Sequence, residues 1–369
     1  MSKKLDIVLQ TTLTLADQFQ ATLTSAQAGS EGEAAGGKDD GLDPLKLLSV
    51  SATALKSHVT KLSLLTITSP FTPSAVATPL SALNESVLPS LVTAALLVTP
   101  ESHTKAFQSE IRVLTGTTLK EFSMLVKEVQ AVAEGKARTE VLQQSGKDTV
   151  TVATGRVWDA CDVLVDVATK GVVGFVVRRA EEYRDLVKDA VEEIEGWDPD
   201  EDDDFFDDLL EDDGDEAGGE SNDDNDEDGQ SATLNARKKD ALRILKPIAQ
   251  IYPAIILNRL KKAPSPPPAP SVRTLEALMK NLQQIPDYID EVAGALYEAD
   301  LEKFMRQLGK TGICARKAVE LVALPWDAKQ SPGSKEGAGD KFTTWSKTWA
   351  KVLEEVGKSI EGSSNPGSG

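Results

Sequence analysis

Cysteine and histidine are almost absent from this chain of 369 residues, with two of each. Cys161 and Cys314 lie far apart and among apolar residues. Neither a disulfide framework nor a paired-cysteine zinc motif can be built from them, so the expected state is two buried structural thiols in a reducing compartment. His58 falls between Lys56 and Lys61, and His103 in a first helical turn; neither has a cysteine or second histidine at ligand spacing, which sets aside a metal or general-base role. Gly171 and Gly174 lack the GxGxxG pattern and no Gly-Lys-Ser or Gly-Lys-Thr follows a strand, so there is no phosphate-cradling loop. Long hydrophobic runs are missing too. The longest, around Leu91 to Val98, is far short of the ~20 residues that cross a bilayer. The start, Met-Ser-Lys-Lys-Leu-Asp, develops no apolar signal region. These absences lead to the expectation of a soluble, intracellular protein that is not an enzyme and needs no cofactor or metal.

Basic residues are lacking in one place above all. Between Glu192 and Asp228 there are 22 acidic residues and no Lys or Arg. Removing these 22 from the 59 acids of the chain leaves 37 against 40 bases. The net charge of −19 is therefore the property of one segment on an otherwise balanced body. The acidic total argues against direct nucleic-acid binding by the whole surface.

What is present is helical periodicity. Leu5, Val8, Thr12, Leu15, Phe19, Leu23 and Ala26 recur every three or four residues, as do Phe107, Ile111, Leu114, Thr118, Phe122, Leu125, Val129 and Val132. So do Val173, Val176, Ala180, Tyr183, Val187, Ala190 and Ile194, and Phe342, Trp345, Trp349, Val352 and Val356. Each series puts one apolar stripe on a 3.6-residue period. Asp43-Pro44, Thr72-Pro73 and Thr99-Pro100 place an N-cap acceptor before a proline whose missing N–H costs nothing in the first turn. Only Thr149 to Val177, rich in β-branched residues, also suits a short hairpin; helix is the preferred reading there.

The expected fold class is all-α: multi-helix bundles of up-and-down long amphipathic helices, with a long disordered acidic insert. The expected organisation is an N-terminal helical region at 1–197, the insert at 198–232, a C-terminal helical region at 233–361 containing a Pro-rich linker at 263–270, and a loose tail at 362–369. Loops are expected at 29–41 and 330–341. Within the insert, Trp197, Phe205, Phe206, Leu209 and Leu210 interrupt the charge. The last four share one helical face, as in segments that fold onto a partner groove. The alternative is that they tack the insert onto its own bundle. Residues 212–228 read as a solvated spacer or a patch for basic proteins such as histones.

Two stretches carry a likeness. The first runs Val157-Trp158-Asp159-Ala160-Cys161-Asp162, followed by Leu186-Val187-Lys188-Asp189-Ala190-Val191-Glu192-Glu193-Ile194 and then the acidic run; the second is Ile289-Asp290-Glu291-Val292-Ala293 with Leu296-Tyr297. In that order they resemble the cyclin-D-binding protein family, also described as cyclin-D-interacting helix-loop-helix proteins, over a layout of roughly 45–325. Glu298-Ala299 stands where the family often has paired prolines. The resemblance implies bundles similar in shape to those of vinculin and talin, without enzymatic activity. It implies partners among cell-cycle or transcription regulators (D-type cyclins and helix-loop-helix factors), in cytoplasm and nucleus. Trp158, Cys161, Asp162, Lys188, Asp189, Asp290, Glu291 and Tyr297 are the motif positions it singles out. The family's helix-loop-helix label falls near Trp158 to Glu195, but the stripe from Val173 to Ile194 reads as a bundle helix already used internally. Two other functions remain open on the sequence: an acidic chaperone-like binder of basic proteins, and a cytoskeletal adaptor of the vinculin or talin type.

Overall fold

The computed structural model describes residues 2–28, 43–136, 144–199, 224–329 and 340–363. The fold is all-α, and no strand occurs among the described residues. The chain divides into two compact units, Met1–Phe175 and Val176–Gly369. The division falls inside a helix, upstream of the boundary at 197 that the acidic run suggested.

The first unit is built from α1 (Lys3–Ala28), α2 (Pro44–Ile67), α3 (Pro73–Ala82), a π-turn (Leu83–Val87), α4 (Leu88–Leu97), the short α5 (Pro100–His103), α6 (Lys105–Lys136) and the first part of α7 (Gln144–Gly196). In this unit α1 packs on α6 and α3, and α2 on α4. The core stripe of α1 is Leu5, Leu9, Thr12, Ala16 and Leu23. Val8, Leu15 and Phe19, assigned to that stripe from spacing, are only half-buried. The α6 stripe is as spaced, with Phe107, Ile111, Phe122, Leu125 and Val129 fully buried.

All three proline-marked starts are helix starts. Only Asp43 caps with its side chain, accepting from the N–H groups of Leu45 and Lys46; Thr72 and Thr99 make no such bond. Proline at the first helical position is enough to set the local φ without it. From Pro73 to Leu97 the chain is continuously helical, long and apolar enough by length and composition to cross a membrane, although no single apolar run in the sequence suggests it. Val76, Leu80, Leu83, Leu88 and Leu91 of this stretch are buried in the protein core.

The β-branched stretch from Thr149 to Val177 is helix, not hairpin. Its glycine does matter: Gly171 sits at φ 63°, ψ −168°, a non-helical step that kinks α7. A left-handed φ is the conformation glycine adopts at no steric cost. Beyond the kink Val176, Ala180, Val187 and Ile194 of the spaced series are buried, with Val191 beside them, while Val173, Tyr183 and Ala190 are half-buried.

The second unit continues α7 and adds α8 (Asp224–Ala249), α9 (Ile251–Asn258), α10 (Ala269–Tyr297), α11 (Leu301–Leu321) and α12 (Lys341–Ser363), with single 3₁₀ turns at Leu260–Lys262 and Trp326–Lys329. α10 and α11 form its most extensive pairing. α8 begins at Asp224, so the C-terminal part of the expected acidic insert, 224–232, is helical. The Pro-rich connector ends earlier than expected because Pro270 is taken into the first turn of α10. The last helix reaches Ser363, into the expected tail. On α12, Leu353 is buried while Val352 is exposed, one position out from the spaced series. Residues 29–41, 330–339 and 364–369 lie outside the described residues.

Candidate functional site

The first motif stretch sits on α7. Trp158 and Asp162 are one turn apart and share its outward face, whereas Cys161 is fully buried. Burial pushes the Cys161 thiol up to about 12, with Asp162 adding to the effect. This cysteine is therefore a packing group, in keeping with the expected structural thiol. Cys314 is also buried.

Trp158 is held from α2. Its indole Nε1 donates to Thr60 Oγ1 at 3.1 Å, and the Thr60 hydroxyl in turn donates to the Lys56 carbonyl at 2.8 Å. Lys56 Nζ lies 5.9 Å from the centre of the indole ring and pairs with Asp162 at 2.6 Å. Lys56, Thr60 and the exposed Leu64 recur at every fourth position of α2, so one face of that helix meets the Trp158 face of α7. The indole remains 37% exposed with its polar edge satisfied, and Val163 beside Asp162 is exposed as well. An anchored, half-open aromatic rimmed by one cation and one anion suits contact with another protein surface.

The second stretch gathers in the other unit. Tyr297, at the end of α10, donates its hydroxyl to Glu193 of α7 at 3.1 Å. Its ring meets Trp197 with centroids 5.0 Å apart, and Lys238 Nζ donates to the Trp197 carbonyl. Trp197 is thus half-buried against its own unit, so this member of the acidic-aromatic set is used internally. Phe205, Phe206, Leu209 and Leu210 lie outside the described residues. Asp290 and Glu291 are exposed, and Glu291 pairs with Lys303 at 3.3 Å. Asp290 is raised from its ordinary range, first by desolvation and then by Asp287, Glu193 and Glu291. These carboxylates form a local acidic face. Lys188 pairs along its own helix with Glu192 at 3.4 Å, and Asp189 is exposed.

The histidines have structural surroundings. His103 stacks on Phe107 at 5.9 Å and is lowered from its ordinary value mainly by burial. His58 Nδ1 is buried with no hydrogen-bond partner among the described residues. Among the described residues, no group of three or more His, Cys, Asp or Glu is placed to hold a metal ion.

Spacing did not single out Lys56 and Thr60, which complete the Trp158 face. Their only trace in the sequence is the four-residue interval between them, and nothing in α2 announces that α7 lies across it.

No curated protein matches the chain. The family model described as Grap2 and cyclin-D-interacting, N-terminal, matches residues 47–200. That range contains Lys56, Thr60, Trp158, Asp162 and Trp197; the second motif stretch, with Asp290, Glu291 and Tyr297, lies beyond it. Through residues 47–200 the chain is similar to the family described as Grap2 and cyclin-D-interacting, N-terminal.

Proposed function

We propose that this protein is a non-enzymatic interaction regulator, present in cytoplasm and nucleus. In this reading it binds a D-type cyclin or a helix-loop-helix factor through the α2/α7 face centred on Trp158, and so restrains cell-cycle progression or transcription. The observation that supports this reading is the preorganised indole inside the family-matched range. Aromatic anchors dominate binding energy at protein interfaces, and a side chain already held in place has less entropy left to lose.

The test is direct binding of a purified D-type cyclin, and separately of a helix-loop-helix factor, to the intact protein and to Trp158→Ala and Lys56→Glu variants. A hot-spot tryptophan should cost at least about 2 kcal/mol on truncation, roughly thirtyfold in Kd. Unchanged affinity in both variants removes this face from the reading, and failure of the intact protein to bind either partner removes the reading itself.

A second function, binding of basic proteins, is favoured by the carboxylates gathered around Asp290. Such binding should weaken steeply with salt, because exposed charges are screened over about 8 Å at physiological ionic strength. A docked aromatic anchor should be far less sensitive.

A further inference from the structure

The outward face of α11, in the second unit, carries an unusual pattern of charge. Arg306, Lys310, Ile313 and Lys317 recur at intervals of four, three and four residues, which places them on one stripe. All four are exposed, Ile313 to 44%, while Phe304, Leu308, Thr311, Ala315 and Ala318 on the opposite side are buried. Glu302 and Glu320 close the stripe at its two ends. Beside it on α10 stands the half-buried Tyr288, with its ring centre 5.6 Å from Lys310 Nζ.

Other exposed helix faces of this unit pair opposite charges one turn apart. Arg178 meets Glu182, Lys188 meets Glu192, Lys351 meets Glu355 and Lys358 meets Glu354. In the middle of α11, Arg306 and Lys310 instead put like charges at i and i+4, which works against a helix. Arg306 is partly offset by Glu302 at 3.7 Å. Lys310 and Lys317 form no ion pair among the described residues, and the exposed position between them is an isoleucine. Cations set around an exposed apolar side chain are complementary to an acidic segment that itself bears apolar side chains.

The chain supplies such a segment close by. Residues 200–213 contain ten acids, no base, and the apolar set Phe205, Phe206, Leu209 and Leu210. They follow Trp197, whose ring lies against Tyr297 at the end of α10. Phe205 is eight residues beyond Trp197 and Leu210 thirteen, spans of up to about 28 and 45 Å for an extended chain. α11 starts four residues after Tyr297, and Ile313 is twelve residues further on, about 18 Å along the helix axis. The apolar set therefore has the length of chain needed to reach the stripe.

We infer that the outward face of α11 is the docking site of the chain's own residues 200–213. Phe205, Phe206, Leu209 and Leu210 cover Ile313 and Tyr288, and the flanking carboxylates neutralise Arg306, Lys310 and Lys317. A tethered partner needs little intrinsic affinity, because a short connection holds it at a millimolar effective concentration. While docked, these acids are withheld from outside basic proteins, so α11 acts as their internal competitor. The site lies beyond residues 47–200 and depends on neither Trp158 nor the cyclin reading.

The experiment puts a thiol at the centre of the stripe in the full chain, as Ile313→Cys, and measures its labelling rate at low salt; the two native cysteines are buried. Labelling should be about tenfold slower than in the same protein carrying Phe205→Ser, Phe206→Ser, Leu209→Ser and Leu210→Ser together. Raised salt should release the protection, and so should Lys310→Glu with Lys317→Glu. The serine changes and the salt series decide the matter if the lysine variants fail to fold. Carbodiimide coupling of the protein with Ile313 intact, read by mass spectrometry, should join carboxylates of 200–213 to Lys310 or Lys317 within monomers. A thiol that reacts equally fast with and without the serine changes overturns the assignment and leaves the face to an outside acidic partner. Couplings found only in covalent dimers overturn it in favour of a second copy of the chain.

Discussion

The Tyr252 hydroxyl donates to the Leu282 carbonyl at 2.8 Å in the buried interior of the second unit. That carbonyl is the one that residue 286 would satisfy in a regular helix, and residue 286 is Pro286, inside α10 and buried. A proline in a helix interior removes one backbone donor. Here a tyrosine from α9 replaces it.

Tyr252→Phe should therefore cost about 1–3 kcal/mol, the range for leaving a buried acceptor unsatisfied. In a Pro286→Ala background, where the helical N–H returns, the same change should cost markedly less. Urea unfolding of the four proteins in a double-mutant cycle measures the difference; equal losses in both backgrounds would show that the two groups do not share the carbonyl.

Arg259 ties two helix ends together. It is 1% exposed, donates to the Val322 and Ala323 carbonyls past the end of α11, and forms a two-pronged pair with Asp340 at 2.7 and 2.9 Å. Asp340 also accepts from the Thr343 N–H as the cap of α12. Arg259→Ala should destabilise by about 3–5 kcal/mol, and Arg259→Lys should fail to rescue, because an ammonium lacks the fork. Thermal unfolding of both variants settles the point.

The Arg259 hydrogen bond, opposed by some desolvation, holds the Asp340 carboxyl well below the usual carboxylate range. A lowered folded-state pKa means that the unfolded chain takes up the proton first. Stability from this group is then full above the ordinary value of about 4 and is lost as pH falls below it. The gap in thermal midpoint between the intact protein and Asp340→Asn should narrow from pH 6 down to about pH 3. A gap that widens on acidification contradicts the assigned pairing.

The two cysteines should be silent toward thiol reagents in the folded state. Cys161 is pushed up to about 12 and Cys314 is also raised by burial, and it is the thiolate that reacts. Labelling at pH 8 should proceed only at the rate of unfolding and reach both thiols in denaturant. Prompt labelling of the native protein at either residue would refute its burial.

Glycines of two helices should respond with opposite signs. Gly171→Ala forces a side chain into φ 63° and should cost about 1–2 kcal/mol. Gly116→Ala meets open space and should gain about 0.5–1 kcal/mol. Chemical denaturation of the two single variants reads both.

The pair between Lys56 and Asp162 is 36% and 60% exposed, so breaking it should change stability by less than about 1 kcal/mol. Loss of partner binding in Lys56→Glu can then be attributed to the surface, provided that its unfolding midpoint stays close to that of the intact protein.

By itself the sequence determined what local chemistry decides. Repeats of apolar residues every three or four positions dictate helices, because only that spacing lines up one face. Prolines after Asp43, Thr72 and Thr99 mark three starts. Trp158, Asp162 and Tyr297 were visible as motif positions, and residues 47–200 carry the family match. Tertiary structure alone decided which neighbours each helix meets. Spacing on α2 holds no information about α7, so the Lys56–Thr60–Trp158 face could not be read from it. The same reason hides Tyr252 from Pro286 and Arg259 from Asp340. Each of these pairs joins residues distant in sequence, and contacts of that kind form only when packed helices bring them together.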